Sequence, residues 1–183
     1  MSMLEAENTV VAVIDVQGKL AGLVHGHERV VSRIRGLLHA AGAFGLPVIW
    51  SEQAPDKIGE TVAPLKDLLA PMVQPVPKRS FSCWQCPQYV ERLHSINRRQ
   101  IVVTGIETHV CVYQTCRDLH RHGYDVHLIA DAVSSRHEFD HQTAIARLRQ
   151  EGITISSTEM AVCELLGGAD HSKFREIMAF LKG

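Results

Sequence analysis

The chain has 183 residues, 45% of them apolar, with a mean hydropathy of −0.01 and a formal net charge of −1. Length and composition suit one folded domain with a sizeable core, and a near-neutral balance without a basic block gives no electrostatic ground for binding nucleic acid or an anionic membrane. Five cysteines, an odd number scattered along the chain, do not read as a secreted disulfide framework; neither the first eight residues nor the apolar run 10–16 has the form of a leader or a membrane span, so a cytoplasmic protein is expected.

Residues 10–16 are the first predicted strand, apolar except for Asp15. Residues 27–43 then place Val30, Val31, Ile34, Leu37, Leu38 and Ala41 at helical spacing, and a strand over 47–51 follows. The stretch 52–87 is rich in proline and is expected to run as loops over the carboxyl edge of the sheet, around a short strand at 74–77. Further strands are expected over 101–104, 125–130 and 153–156. Between and after them come helices over 113–122, ended by Gly123, over 139–150, closed by Gly152, and over 171–181. The last would cover a sheet edge or meet another subunit. Repeated strand–helix units favour a mostly parallel sheet with right-handed crossovers and helices on its faces, within a single domain over 1–183.

Three residues stand at strand ends in this pattern. Cys111 lies between the strand 101–104 and the helix 113–122, where a helix N-terminus offers unpaired N–H groups and a positive partial charge, a setting that favours a thiolate. Asp15 follows four apolar residues and needs a partner if it is to be desolvated there. Lys78 ends the short third strand. Parallel strands present their carboxyl ends on one edge, so the three could meet. Asp15 would take the thiol proton, Lys78 would hold Asp15 as a carboxylate and favour the thiolate, and Cys111 would attack an electrophilic carbonyl. Cys83-Trp-Gln-Cys86 has the spacing of a redox pair or half a metal site, but it lies in the proline-rich stretch without a matching second pair, so two ordinary loop thiols are expected. The turn after the first strand, Asp15-Val-Gln-Gly-Lys-Leu20, lacks both nucleotide-phosphate fingerprints.

Asp15-Val-Gln17, Lys78 and Gly105-Ile-Glu-Thr-His-Val-Cys111, in this order and spacing, resemble the Asp-Lys-Cys triad of the isochorismatase-like cysteine hydrolase superfamily. The run from Asp118 to Arg136 resembles its isochorismatase domain-containing branch. The resemblance implies a Rossmann-like three-layer α/β/α fold with a mostly parallel six-stranded sheet in the order 3-2-1-4-5-6, and a homo-oligomer. It also implies a non-proline cis peptide between Ile106 and Glu107, with the backbone N–H groups of Glu107 and Cys111 forming an oxyanion hole. Relatives that bind a metal beside the triad carry histidines after the second strand; residues 50–58 contain none, so neither metal nor cofactor is expected. Retention of Cys111 implies acyl transfer: hydrolysis of a small amide or carbamoyl C–N bond through a Cys111 thioester. A catalytically silent oligomeric scaffold and a vinyl ether hydrolase are the alternatives. Gln17 would hydrogen-bond the substrate or orient Asp15, while Phe81, Trp84 and Tyr113 would line the pocket. His109, inside the nucleophile loop, would touch substrate or tune Cys111, and Thr108 would support the loop through its hydroxyl. Arg136 and His137 would face the cleft or a neighbouring subunit. The expected partner is a small-molecule substrate, with no nucleic acid and no membrane.

Overall fold

The computed structural model describes residues 2–181. Its centre is a parallel sheet of β1 (Thr9–Ile14), β2 (Val48–Gln53), β3 (Val76–Lys78), β4 (Gln100–Ile106), β5 (Asp125–Ser134) and β6 (Thr154–Ser156). The strand order is β3-β2-β1-β4-β5-β6, as expected. Helices cover both faces: α1 (Gly18–Leu23), α2 (His27–Phe44), α3 (Pro55–Ile58), α4 (Ala63–Leu69), α5 (Pro87–Ile96), α6 (Tyr113–Arg121), α7 (Glu138–Gln150), α8 (Thr158–Leu166) and α9 (Phe174–Leu181). The single-domain reading of 1–183 takes in Met1, Lys182 and Gly183, which lie outside the described residues. Among the described residues no helix is long and apolar enough to cross a membrane.

Successive residues of a strand point to opposite faces. Val11, Val13 and Val102 therefore pack with Ile34, Leu37 and Leu38 of α2 and Val162 of α8, while Val10, Ala12, Ile101 and Val103 pack with Tyr89 and Leu93 of α5, Leu119 of α6 and Leu148 of α7. Strands buried on both faces read as continuous apolar runs, which is why β1 and β4 are legible as central parallel strands. The sheet order reverses at β1, so crossovers leave in both directions between β1 and β4 and a crevice opens at their carboxyl ends.

Several elements depart from the expectation. The stretch 52–87 is not all loop, because Pro55 and Pro64 stand in the first turns of α3 and α4, where a fixed φ helps and the missing N–H would be unpaired anyway. Pro87 begins α5 in the same way. Strand β5 continues to Ser134 because a register shift between Val103 and Gly105 lets Val133 pair with Gly105. At its other end β1 stops at Ile14, since Asp15 takes a left-handed φ of 53° that no strand accommodates.

The core layer under α5 and α6 holds thiols whose ionisation folding suppresses. Burial, then the Asp15 charge, pushes Cys83 up from its ordinary value of 9.0 to about 11, and burial raises Cys116 further. An acid whose folded value is raised keeps its proton in the native state while the unfolded chain loses it. Stability is thus fully present below the ordinary thiol value and is lost as pH rises through the folded one. Guanidinium midpoints measured from pH 8 to 10.5 are expected to fall above pH ~9, with Cys83 alone accounting for about 3 kcal/mol by its folded value. A flat profile would contradict these buried thiols.

Candidate active site

The left-handed turn at Asp15 lifts its carboxyl out of β1 into the crevice. Three neighbours hold it. The Asp15 N–H donates to Ser51 O at 3.2 Å, the Ser51 hydroxyl donates to Asp15 Oδ1 at 2.8 Å, and Lys78 Nζ faces Asp15 Oδ2 at 2.6 Å. The Asp15 and Lys78 side chains are 4% and 0% exposed. Such a buried pair is tolerable only when further hydrogen bonds saturate its charges. Lys78 Nζ donates to Gln53 Oε1 at 2.7 Å and to the carbonyls of Ser80 and Phe81, both at 3.1 Å. Burial is the largest single influence and lowers the Lys78 ammonium, but the Asp15 charge, the nearby thiols and the hydrogen bond to Asp15 together outweigh it and leave Lys78 raised. Oδ2 is thus held by the Lys78 ammonium and Oδ1 by the Ser51 hydroxyl, with the Cys111 thiol beside the carboxylate.

Cys111 is placed by the segment after β4. The Ile106–Glu107 bond is cis, and Thr108–Val112 then form a π-helical turn that runs directly into α6. Cys111 therefore sits within a continuous helix rather than before one. Its thiol is raised well above the ordinary value, by burial first and by the adjacent Asp15 charge second, against a lowering by Lys78. Burial and the Asp15 charge thus oppose the thiolate that a helix start favours, and Asp15 lies beside the sulfur, placed to receive its proton.

Ser51 ties this carboxylate to the core. The Cys83 thiol donates to Ser51 Oγ at 3.5 Å, and the Cys83 N–H donates to Thr115 Oγ1 of α6 at 3.0 Å. Ser82 adds a second link to α6, donating to Asp118 Oδ2 at 2.6 Å. Ser51→Ala removes the donor on Asp15 Oδ1 without touching the cavity. It is expected to lower kcat of any measured turnover about tenfold with KM nearly unchanged, and to cost about 1–3 kcal/mol in denaturant unfolding. An equal rise in KM would place Ser51 in substrate binding instead.

Asp15, Cys111, Gln17, Phe81, Glu107 and Ile106 share one cavity of about 100 Å³, closed by Leu20, Gln53, Ile58 and Val110. The Glu107 carboxylate accepts from the Arg136 N–H at 3.1 Å and from Arg136 Nε at 3.0 Å. The Glu107 backbone N–H makes no hydrogen bond among the described residues. Thr108 Oγ1 meets His141 Nδ1 at 2.9 Å, and burial, with Arg29 and His25 adding to it, keeps His141 below its ordinary value.

Trp84 and Tyr113 do not border this cavity, and the other residues singled out in the sequence make contacts of their own. The Gln17 amide is engaged with Gln53 and Gly59 and makes no bond to Asp15. Trp84 stacks on His122 at 4.1 Å and edges against His94 and Tyr124, away from the cavity. Tyr113 lies beneath Arg117 and Arg147 and donates to Glu151. His109 bonds Ser135 and borders a separate hollow with Tyr113 and Arg147. His137 caps α7, its carbonyl accepting from the His141 N–H. Cys83 and Cys86 are free thiols. Ser51 and Gln53 were missed, although a polar residue after the apolar Val48-Ile-Trp50 is the same signal that singled out Asp15. Among the described residues no three His, Cys, Asp or Glu side chains converge as a metal site.

Comparison with known proteins gives consistent matches. The isochorismatase domain family matches residues 9–160. Isochorismatase domain-containing protein 2 of Xenopus laevis is 37% identical over 97% of this chain and 85% of the relative. A secreted isochorismatase effector of Phytophthora sojae is 36% identical over 100% of this chain and 88% of its own. A solved structure described as the MAR1 ribonuclease of Caenorhabditis elegans superposes with a TM-score of 0.90 at 32% identity, covering 100% of this chain and 93% of that one.

Proposed function

The chain belongs to the isochorismatase family, within the isochorismatase-like hydrolases, and from that premise we propose that it hydrolyses a small amide or carbamoyl C–N bond through a thioester on Cys111. The observation that carries this reading is a carboxylate held beside a thiol whose ionisation burial suppresses: Asp15 is fixed by Ser51 at 2.8 Å and Lys78 at 2.6 Å, next to Cys111 in one cavity.

A protonated nucleophile requires a base in the attacking step. Asp15 takes the thiol proton as Sγ bonds to the carbonyl carbon, and Lys78 balances the charge that passes between them. The carbonyl oxygen, now negative, lies against the backbone N–H groups of Glu107 and Cys111; one such donor is worth about 3 kcal/mol of barrier. Asp15 returns the proton to the departing nitrogen, and ammonia or an amine leaves a thioester. Water, giving a proton to Asp15, attacks the thioester; collapse frees the acid, and the same proton restores the thiol.

Homo-oligomeric assembly and work in a reducing compartment belong to the same proposal. Leu23 and Phe139, 65% and 80% exposed, support the first, and five free cysteines support the second. The name of the C. elegans protein raises RNA as a substrate. Phosphate backbones are held by cations, and no cationic side chain lines the Cys111 cavity, so the amide reading is favoured.

A panel of primary amides, ureas, a vinyl ether and an RNA oligonucleotide tests the proposal. Ammonia release from an amide or urea is expected, with an acyl adduct on Cys111 caught by acid quench and mass spectrometry, and both are expected to vanish in Cys111→Ala. Vinyl ether or RNA cleavage without ammonia release would overturn it.

A further inference from the structure

The polar side chains around Cys111 are already occupied. Gln17 donates to the carbonyls of Gln53 and Gly59 and accepts from the Gln53 N–H. Gln53 accepts from Lys78 and donates to Arg79 O. Glu107 is taken by Arg136. What remains facing the cavity is the reacting pair, Asp15 and Cys111, and an apolar wall of Leu20, Ile58, Phe81, Ile106 and Val110. None of the lining residues is a cation, and Lys78 and Arg136 are taken up by Asp15 and Glu107.

We infer that the acyl half of the substrate is short, uncharged and aliphatic, and that acyl groups carrying a carboxylate are rejected. The inference rests on Cys111 being the nucleophile of the proposed hydrolysis. A second polar group on the substrate would lose its water and find no partner on this wall, and a carboxylate, with no free cation there to receive it, would lose the most. Size sets the other limit. A cavity of about 100 Å³ is smaller than the roughly 150 Å³ apolar cavity that takes a benzene ring, so it admits fewer than about six non-hydrogen atoms. Acyl chains of about three or four carbons fit, with the carbonyl at Cys111 and the tail against Ile58 and Phe81.

Protection of Cys111 from iodoacetamide tests the inference without requiring turnover. Alkylation joins Sγ to the reagent's methylene with loss of iodide and the thiol proton, and mass spectrometry reads it at each cysteine. Cys163, which is exposed, serves as the internal reference in the same chain. Butyramide is expected to slow labelling of Cys111 relative to Cys163 at concentrations about tenfold lower than succinamate, which replaces its methyl with a carboxylate, or hexanamide, which is longer. Phe81→Ala, at the rim, is expected to extend protection to hexanamide. Equal or better protection by succinamate, or protection by none of the three, overturns the inference. Ammonia release from the same amides is read separately. Butyramide protection without ammonia from any amide would sink the hydrolysis and leave the selectivity standing, whereas ammonia from succinamate in preference to butyramide would do the reverse.

Discussion

Asp15→Asn is expected to drive turnover and thiol reactivity in opposite directions. As the base for both proton transfers, Asp15 contributes about 10²–10⁴-fold to kcat/KM, and the amide cannot replace it. Yet after burial, the Asp15 charge is the largest influence holding the Cys111 thiol up, while Lys78 pulls it down. Removing the carboxylate leaves the ammonium facing sulfur alone, so the thiol value falls and iodoacetamide labelling at pH 8 rises by about tenfold for each unit. The fold has means to tolerate the change. Asn keeps an oxygen for the Ser51 hydroxyl, and Lys78 retains Gln53, Ser80 and Phe81. Labelling rate against pH, read with kcat/KM, separates the cases. A variant slower in both would mean that Asp15 activates the resting thiol, and one unchanged in both would remove Asp15 from the mechanism.

The second large effect is on stability and falls at Gly105. Its φ is 121°, and a Cβ there would lie 2.0 Å from the carbonyl oxygen of Ile14. Gly105 pairs with Ile14 on one side and Val133 on the other, so neither strand can retreat without breaking the β1–β4 or β4–β5 ladder. Gly105→Ala is expected to cost more than about 4 kcal/mol or to prevent folding. Gly22, in α1, has no atom within 4 Å of a built Cβ. Gly22→Ala is therefore the control, expected to be neutral or to stabilise by up to about 1 kcal/mol. Denaturant midpoints compare the two, and similar values would contradict the close approach of β1 and β4.

The central strands were legible because burial on both faces leaves little but valine, isoleucine and alanine in 10–14 and 101–103. Asp15, Lys78 and Cys111 were legible because polar residues at the ends of such runs have few structural reasons to be there. What escaped depended on contacts between distant segments. Nothing in the local sequence says that the Gln17 amide is taken up by Gln53 and Gly59, or that Trp84 finds His122 rather than the cavity. A helix start beside Cys111 is visible in sequence, whereas the burial beside an aspartate that raises its thiol is not. The prolines of 52–87 suggest loops in sequence, yet Pro55, Pro64 and Pro87 each stand in the first turn of a helix.

The π-helical turn over Thr108–Val112 makes this segment intolerant of length change. A π turn holds one more residue than an α turn. Deleting a single residue between Glu107 and Tyr113 would let the segment rewind as ordinary α-helix without disturbing α6, which is anchored by the buried Cys116 and Leu119. The residue bearing the thiol would then swing around the helix axis by about 100°, carrying sulfur away from Asp15. Single-residue deletions in this stretch should therefore yield well-folded but inert proteins, so that among length variants loss of activity need not signal loss of fold.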